Sequence, residues 1–422
     1  MYNELAMTKF DVLYKYFGYT EYRQAQEEVI DTLLEGRDVL GVMPTGAGKS
    51  LCFQVPALLF AGATLVISPL ISLMKDQVTQ LRNADVPAAF INSSLTMQQY
   101  REVLRRVKTG QYKIIYVAPE RLETEDFLRF ATDTDISMIA VDEAHCVSQW
   151  GQDFRPSYLK IAAFTEKLRK RPVVGAFTAT ATADVKKDII RLLDLQNPMS
   201  LTTGFDRPNL YFGVERPKYK SMRLHEMVKE RSGECGVIYC STRRNVDIVY
   251  DEFKRRGVSA ARYHAGLEDI ERRVSQDNFI RGDSSVIVAT NAFGMGIDKA
   301  DVRYVIHFNI PKNMESYYQE AGRAGRDGNP SECILLYSHE DIGTAENLIR
   351  DSGENKELTK KERNLIRKLD EKRLDAMIRF CEIDSCLRSY ILGYFGEKRK
   401  GNCGNCSYCC RPTVWQYIFG KR

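Results

Sequence analysis

Val39-Leu40-Gly41-Val42-Met43-Pro44-Thr45-Gly46-Ala47-Gly48-Lys49-Ser50 passes from an apolar strand through a glycine-rich turn into a helical pattern. Glycines let the backbone curl so that successive N–H groups face one anion, and the helix N-terminus adds positive dipole. Thr45, Gly46 and Gly48 form the cradle, Lys49 suits the β- and γ-phosphates, and Ser50 suits Mg²⁺. A glycine-rich turn alone is often structural. With Gly-Lys-Ser set between a strand and a helix, it reads as a site for nucleotide phosphates and as the first unit of an α/β fold.

Strand-length apolar runs continue outward at 64–68, 113–117, 138–141 and 173–178, separated by helical patterns. That alternation predicts a parallel sheet covered by helices on both faces. A second series follows at 236–240, 260–264, 285–290, 304–308 and 332–337. Between the two lies 202–217, where Gly204, Pro208 and Pro217 suggest a connection. Residues 354–422 hold 16 Lys or Arg against 9 Asp or Glu, whereas the remainder holds 45 against 47. The basic end suits a polyanion, although a solvated helical surface would look the same.

Asp142-Glu143-Ala144-His145 ends the strand 138–141, at the edge where open α/β sheets bind ligands. Asp142 suits Mg²⁺ held mostly through water, and Glu143 suits polarising the attacking water. A lone Asp-Glu pair is commonly a solvated turn; the phosphate loop upstream favours hydrolysis. In the second series stands Gln319-Glu320-Ala321-Gly322-Arg323-Ala324-Gly325-Arg326. Phosphoryl transfer spreads negative charge over the equatorial oxygens, which arginines from a neighbouring domain can stabilise. Arg323 and Arg326 share a face if the segment is helical. ATP bound by one domain and sensed by the next is the arrangement of a motor.

Over residues 17–409 the chain resembles helicase superfamily two and, within it, the RecQ family of DNA helicases. The helicase form of the phosphate loop relaxes its first glycine, which accounts for Met43. Phe17-Gly18-Tyr19 with Arg23 and Gln26 resembles the adenine-reading element, Tyr19 stacking and the Gln26 amide reading the base. Ser68-Pro69-Leu70-Ile71-Ser72-Leu73-Met74-Lys75-Asp76-Gln77 and Ala118-Pro119-Glu120-Arg121 resemble strand-tracking motifs, with Ser68, Lys75 and Gln77 as candidate contacts. The resemblance places their counterparts at Ser241 and Thr242, at His264-Ala265-Gly266 and at Thr290, with Gly296 and Asp298 near the nucleotide ribose. Thr178-Ala179-Thr180 resembles the element that links hydrolysis to movement. Ser148-Gln149-Trp150-Gly151-Gln152-Asp153-Phe154-Arg155-Pro156 is what sets RecQ apart from DEAD and DEAH relatives. The resemblance assigns it to sensing single-stranded DNA, through stacking on Trp150 and Phe154 worth about 1–3 kcal/mol per base and through Arg155. Ordinary core aromatics are the alternative reading.

Cys386, Cys403, Cys406 and Cys409 stand in a C-x16-C-x2-C-x2-C pattern. Each CxxC offers two thiolates to one tetrahedral ion, and four thiolates make a closed structural zinc site. An iron–sulfur cluster is the chemical alternative. Leu387-Arg388 and Gly393-Tyr394-Phe395-Gly396-Glu397 resemble the RecQ zinc module and favour Zn²⁺; Cys381 and Cys410 are spare.

The expected architecture is α/β, with two tandem RecA-like parallel-sheet domains at 1–205 (ATP-binding) and 206–338. A helical zinc-binding subdomain at 339–411 and a short tail at 412–422 complete it. Longer RecQ members continue with a winged helix and a small helical domain, so the chain reads as a short form with weakened strand separation. The resemblance implies a 3′–5′ DNA helicase using ATP and Mg²⁺ in recombination and repair. The expected partners are single-stranded DNA, duplex/single-strand junctions, and recombination or single-strand-binding proteins. Rival readings are a DEAH/DEAD-type RNA helicase, a DNA-stimulated ATPase with little unwinding, and a DNA-binding scaffold with a degenerate ATP site. The last is opposed by the joint presence of Lys49, Asp142, Glu143, Arg323 and Arg326. The N-terminus lacks a secretion pattern and no apolar run reaches membrane-spanning length, which implies the cytoplasm, nucleoid-associated if bacterial; a monomer is expected. The 11 cysteines are then expected to be reduced.

Overall fold

The computed structural model describes residues 7–44, 46–293, 299–352 and 358–411. The chain divides into two compact units, Met1–Gly204 and Phe205–Arg422. Among the described residues the first unit is built on seven strands: β1 (Val39–Val42), β2 (Ala63–Ile67), β3 (Ala88–Ile91), β4 (Ile114–Val117), β5 (Ile136–Val141), β6 (Val173–Thr178) and β7 (Met199–Thr202). They run in the order β3-β4-β2-β5-β6-β1-β7, and every pairing is parallel. β1, β2 and β4 are buried along their whole length, as expected of strands with helices on both faces. Val29, Leu33, Phe53, Met74, Val78, Leu81, Tyr116 and Phe177 close the core over this sheet.

The order places β5, β6 and β1 side by side. Their carboxyl ends lead into Asp142, Thr178 and the phosphate loop, so three separate sequence motifs meet at one edge. That edge is where parallel α/β sheets bind ligands.

The second unit carries β8 (Leu210–Glu215), β9 (Cys235–Tyr239), β10 (Ala260–Tyr263), β11 (Val286–Ala289), β12 (Val302–His307) and β13 (Ser331–Leu336). Their order is β10-β11-β9-β12-β13-β8, again all parallel. Both units are RecA-like. After β13 come the helices Glu340–Ser352, Lys360–Glu382 and Leu387–Tyr394. Thr359 and Glu362 form a capping box that starts the long middle one.

Three strands depart from the sequence reading. β8 lies inside the stretch read as a connection; Pro208 and Pro217 flank it rather than interrupt it, so its ladder N–H groups stay free to pair. β3 is four residues long and half alanine, too short for a period to show. β7 is an edge strand whose residues alternate between half-buried and exposed. No helix among the described residues is long and apolar enough to cross a membrane.

Candidate active site

The phosphate loop turns on two glycines in the left-handed region, Gly46 at φ 84° and Gly48 at φ 79°. Gly48 caps the helix Lys49–Leu59, so that helix's unpaired N–H groups face the loop. A Cβ at Gly48 would lie 2.1 Å from Gln26 Nε2, so a larger residue there would push the Gln26 amide aside, on top of the left-handed backbone that favours glycine. Gln26 donates to the carbonyls of Ala47 at 3.2 Å and Gly48 at 3.1 Å, and accepts the Arg23 N–H at 3.0 Å. Arg23 donates to the Gly46 carbonyl at 2.7 Å. In this arrangement the Gln26 amide tethers the phosphate loop, while Tyr19 stands exposed at 58%. Lys49 Nζ donates to the Met43 carbonyl at 3.1 Å. Ser50 sits in the first turn of the same helix. Thr45 lies outside the described residues.

Asp142 follows β5 directly and accepts the Glu143 N–H at 3.0 Å. Burial holds its carboxyl well above the usual carboxylate range, repulsion from Glu143 adds to this, and the nearby charge of Lys49 opposes it. A divalent cation would relieve that penalty, and the hydroxyl of Ser50 and the carboxylate of Asp142 are the hard oxygen donors Mg²⁺ takes. Glu143 adopts φ 47°, an uncommon conformation for a residue with a Cβ. Such backbone costs on the order of 1–3 kcal/mol and clusters at functional sites.

His145 is the hub that sequence reasoning left without a role. Its Nδ1 lies 2.8 Å from Thr178 Oγ1, and Thr178 donates its own hydroxyl to the Thr180 carbonyl at 3.0 Å. Thr178 Oγ1 must therefore accept from His145, which fixes the tautomer with the proton on Nδ1. The Gln152 amide then donates to His145 Nε2, at 3.4 Å. Burial keeps the imidazole neutral, pulling its pKa down to about 4. One ring thus joins the carboxylate turn, the Thr178-Ala179-Thr180 element and the Trp150 loop.

That loop is held from several sides. Ser148 donates to Asp188 at 2.7 Å and accepts the Trp150 N–H at 3.1 Å. Arg155 donates to the Pro69 carbonyl at 2.8 Å and pairs with Asp153 at 3.1 Å. Tyr158 donates to the Asp142 carbonyl at 2.9 Å. Trp150 remains 48% exposed and Phe154 is half-buried. A flat apolar face held out on a hydrogen-bonded turn suits stacking.

Of the other strand-tracking candidates in this unit, Ser68 is fully buried at the end of β2. The structure thus turns its hydroxyl inward, away from a surface contact. Lys75 is half-buried on the helix Ile71–Asn83. Gln77 accepts from Gln54 at 3.3 Å and from Tyr116 at 3.4 Å.

In the second unit Ser241 donates to the Ile310 carbonyl at 3.4 Å and Thr242 caps the helix Arg243–Arg255. His264 faces Asp247 at 3.2 Å through Nε2 and accepts the Gly266 N–H at 3.2 Å through Nδ1. Thr290 is buried, its N–H donating to the Tyr263 carbonyl at 3.1 Å. Gly296 and Asp298 lie outside the described residues. The helix Met314–Ala321 ends before the two arginines, so Arg323 and Arg326 sit on a turn rather than on one helical face. Gly325, at φ 57°, makes that turn. Arg323 is 9% exposed and hydrogen-bonds the Tyr239 hydroxyl, which itself donates to the Phe293 carbonyl at 3.1 Å. Glu320 pairs with His307 at 2.9 Å.

The Sγ atoms of Cys386, Cys403, Cys406 and Cys409 lie within 4.8 Å of one another. Tetrahedral zinc at about 2.3 Å from each thiolate spaces sulfurs by about 3.8 Å; Cys403 and Cys409 are 3.8 Å apart. The N–H groups of Asn405 and Cys409 point at the sulfurs of Cys403 and Cys406, donors that suit thiolates. Cys381 and Cys410 stand outside the group. The zinc loop also covers the open edge of β8, Ser407 donating to the Phe212 carbonyl at 2.8 Å.

Three family models match the chain in order. Residues 23–188 match the DEAD/DEAH box helicase family. Residues 219–328 match the helicase conserved C-terminal domain, and 339–410 the RecQ zinc-binding family. The ATP-dependent DNA helicase RecQ of Bacillus subtilis is 47% identical over 94% of this chain and 66% of its own length. The probable ATP-dependent DNA helicase RecS of the same organism is 42% identical over 82% of this chain and 70% of itself. The chain spans about two thirds of the length of the RecQ proteins it matches. Among solved structures, the DUF1998 helicase MrfA bound to DNA superposes with TM-score 0.67 at 19% identity, over 78% of this chain and 51% of that one. At that identity the likeness shows the fold alone.

Proposed function

The chain belongs to the RecQ family of ATP-dependent DNA helicases, and from that premise we propose that it couples ATP hydrolysis to 3′–5′ movement along single-stranded DNA. The observation that carries the reading is the His145 ring, bonded on one side to Thr178 beside the catalytic carboxylates and on the other to Gln152 in the Trp150 loop. Stacking a base on Trp150 moves the loop, and Gln152 passes that movement to the ring that packs against Asp142 and Glu143.

In this reading Lys49 and the N–H groups at the start of its helix hold the phosphates. Ser50, and Asp142 mostly through water, would hold Mg²⁺, which would supply Lewis-acid charge. Glu143 orients the attacking water, and Arg323 and Arg326 stabilise charge on the transferring phosphoryl group. Tyr19, Arg23 and Gln26 serve the adenine, with Gly296 and Asp298 serving the ribose. Lys75, Gln77, Phe154, Arg155, Ser241, Thr242, His264 and Thr290 serve the strand. The functional domains run 1–205, 206–338 and 339–411, the last held by zinc. Its substrates are single strands and duplex junctions in recombination and repair, its partners recombination or single-strand-binding proteins, and its state a cytoplasmic monomer, nucleoid-associated if bacterial.

The test is Glu143→Gln beside Lys49→Ala, assayed for ATP binding and for turnover with single-stranded DNA. Removing the water-orienting carboxylate abolishes turnover and leaves ATP bound; removing Lys49 loses both. Undiminished turnover in either variant would refute the assignment.

A further inference from the structure

Within the second unit a chain of mostly part-buried hydrogen bonds runs from the zinc module to the turn that carries the two arginines. Cys386 caps the helix Leu387–Tyr394, so the metal ligand fixes the start of the helix that presents Arg388. Arg388 is 3% exposed and its guanidinium stacks over the Phe212 ring. It donates to Asp206 at 2.6 Å, to the Arg207 carbonyl at 2.7 Å and to the Leu210 carbonyl. Phe395 stacks on Phe205 at 4.5 Å, and Glu397 accepts the Phe205 N–H at 2.7 Å. The segment 205–210 is therefore gripped along its length by the module.

From that segment Arg207 reaches the arginine turn. It donates to the carbonyls of Gly322 at 3.4 Å, Ala324 at 3.1 Å and Gly325 at 2.8 Å. Asn209 adds bonds to the Gly325 carbonyl at 2.9 Å and the Asn329 carbonyl at 3.0 Å. These carbonyls follow a helix C-terminus, where unpaired C=O groups concentrate negative charge. One planar guanidinium satisfies three of them, which a lysine ammonium cannot do in the same geometry. Arg323 lies between the first two of these carbonyls in the chain, and Arg326 follows the third.

We propose that Arg207 is a positioning residue for Arg323 and Arg326, and that Arg388 makes this positioning depend on the folded zinc module. The proposal rests on the reading of Arg323 and Arg326 as the arginines that stabilise phosphoryl transfer. Arg207 fixes the carbonyls on either side of Arg323 and just before Arg326; without it the Gly322 and Ala324 carbonyls lose their side-chain donor and only Asn209 still holds Gly325, so the two side chains are presented from a looser turn. The zinc module then acts on catalysis through the connector as well as on folding.

The experiment compares the full chain with Arg207→Ala, Arg207→Lys, Arg388→Lys, Arg323→Ala and the Arg207→Ala/Arg323→Ala pair. It reads steady-state ATPase at saturating single-stranded DNA, KM for ATP, DNA affinity by fluorescence anisotropy, and zinc content. A misplacement on the order of 1 Å costs about 100-fold in rate, so Arg207→Ala is expected to lower kcat by about 10–100-fold. KM, DNA affinity and one zinc per chain are retained. Arg207→Lys recovers part of the loss, Arg388→Lys shows the same selective fall in kcat, and the pair is no slower than Arg323→Ala alone. Wild-type kcat in Arg207→Ala beside a crippled Arg323→Ala overturns the positioning role alone. So does a pair whose loss multiplies the two single losses. Wild-type kcat in Arg388→Lys overturns the link to the zinc module. Wild-type kcat in Arg323→Ala overturns the arginine reading and this proposal with it.

Discussion

Gly151→Ala is the most economical perturbation of the coupling between the DNA loop and the ATP site. A Cβ at Gly151 meets the His145 carbonyl oxygen at 2.2 Å and the Ser148 carbonyl oxygen at 3.0 Å. Both obstacles are backbone, so the turn has to shift by about 1 Å before ordinary contact returns. The turn is held by Gly151 N–H to the Ser148 carbonyl at 2.9 Å and by Trp150 N–H to Ser148 Oγ at 3.1 Å. Losing both, at about 0.5–1.5 kcal/mol each, costs the loop about 1–3 kcal/mol. For a unit of this size that lowers Tm by about 2–12 °C. Base stacking on the released Trp150 is worth about 1–3 kcal/mol, which weakens the response to DNA by about 5–150-fold. The assay is ATPase activity titrated with single-stranded DNA, with Trp150 fluorescence followed in a Trp415→Phe background so that one of the chain's two tryptophans reports. The half-stimulating DNA concentration is expected to rise by that factor while KM for ATP stays within about two-fold. Unchanged half-stimulation with native quenching of Trp150 would refute the tethered-loop account.

Three further outcomes follow from the same geometry. His145 has its folded pKa pulled from 6.5 to about 4 by burial, so the unfolded chain binds the extra proton first on acidification. The His145 contribution to stability is complete above about pH 6.5 and falls by up to about 3 kcal/mol as pH drops toward 4, while the raised carboxyl of Asp142 contributes in the opposite sense; His145→Gln is expected to lessen the loss on acidification relative to the unaltered chain in denaturant titrations, and an identical pH dependence would contradict the neutral imidazole. Cys406→Ser, at a fully buried sulfur, abolishes zinc binding and unfolds the module that covers β8, whereas Cys410→Ser keeps one zinc per chain by metal analysis. Gly325→Ala places a Cβ 2.4 Å from Asn209 Nδ2 at φ 57° and is expected to lower kcat without raising KM for ATP; normal turnover would show that the arginine turn tolerates distortion.

The phosphate loop, the carboxylates and the four cysteines were legible because each is a signature whose chemistry needs those residue types at that spacing, contiguous in the first two and spread over C-x16-C-x2-C-x2-C in the third. The two-sheet architecture was legible for a related reason, since buried parallel strands leave unbroken apolar runs. What escaped depends on pairing between distant segments. β8 is a strand only because β13 lies beside it, and its flanking prolines argued for a linker. His145 looked like the tail of Asp142-Glu143-Ala144-His145 until Thr178 and Gln152 closed around it. Arg388 was legible only as part of the Leu387-Arg388 resemblance and Arg207 not at all, because their partners lie about 178–182 and 115–118 residues away. Whether Arg323 and Arg326 share a helical face was left open by their spacing; the helix ends at Ala321 and Gly325 makes a turn instead.

The central claim is that ATP hydrolysis answers to single-stranded DNA through the Trp150 loop and His145. The direct measurement is steady-state ATPase turnover of the chain with no nucleic acid, with single-stranded DNA, with duplex DNA and with RNA, beside Trp150→Ala under the same four conditions. The account predicts strong stimulation by single-stranded DNA, little by RNA, and loss of the DNA response in Trp150→Ala with basal turnover preserved. Stimulation by RNA alone, or a full DNA response without Trp150, would contradict it.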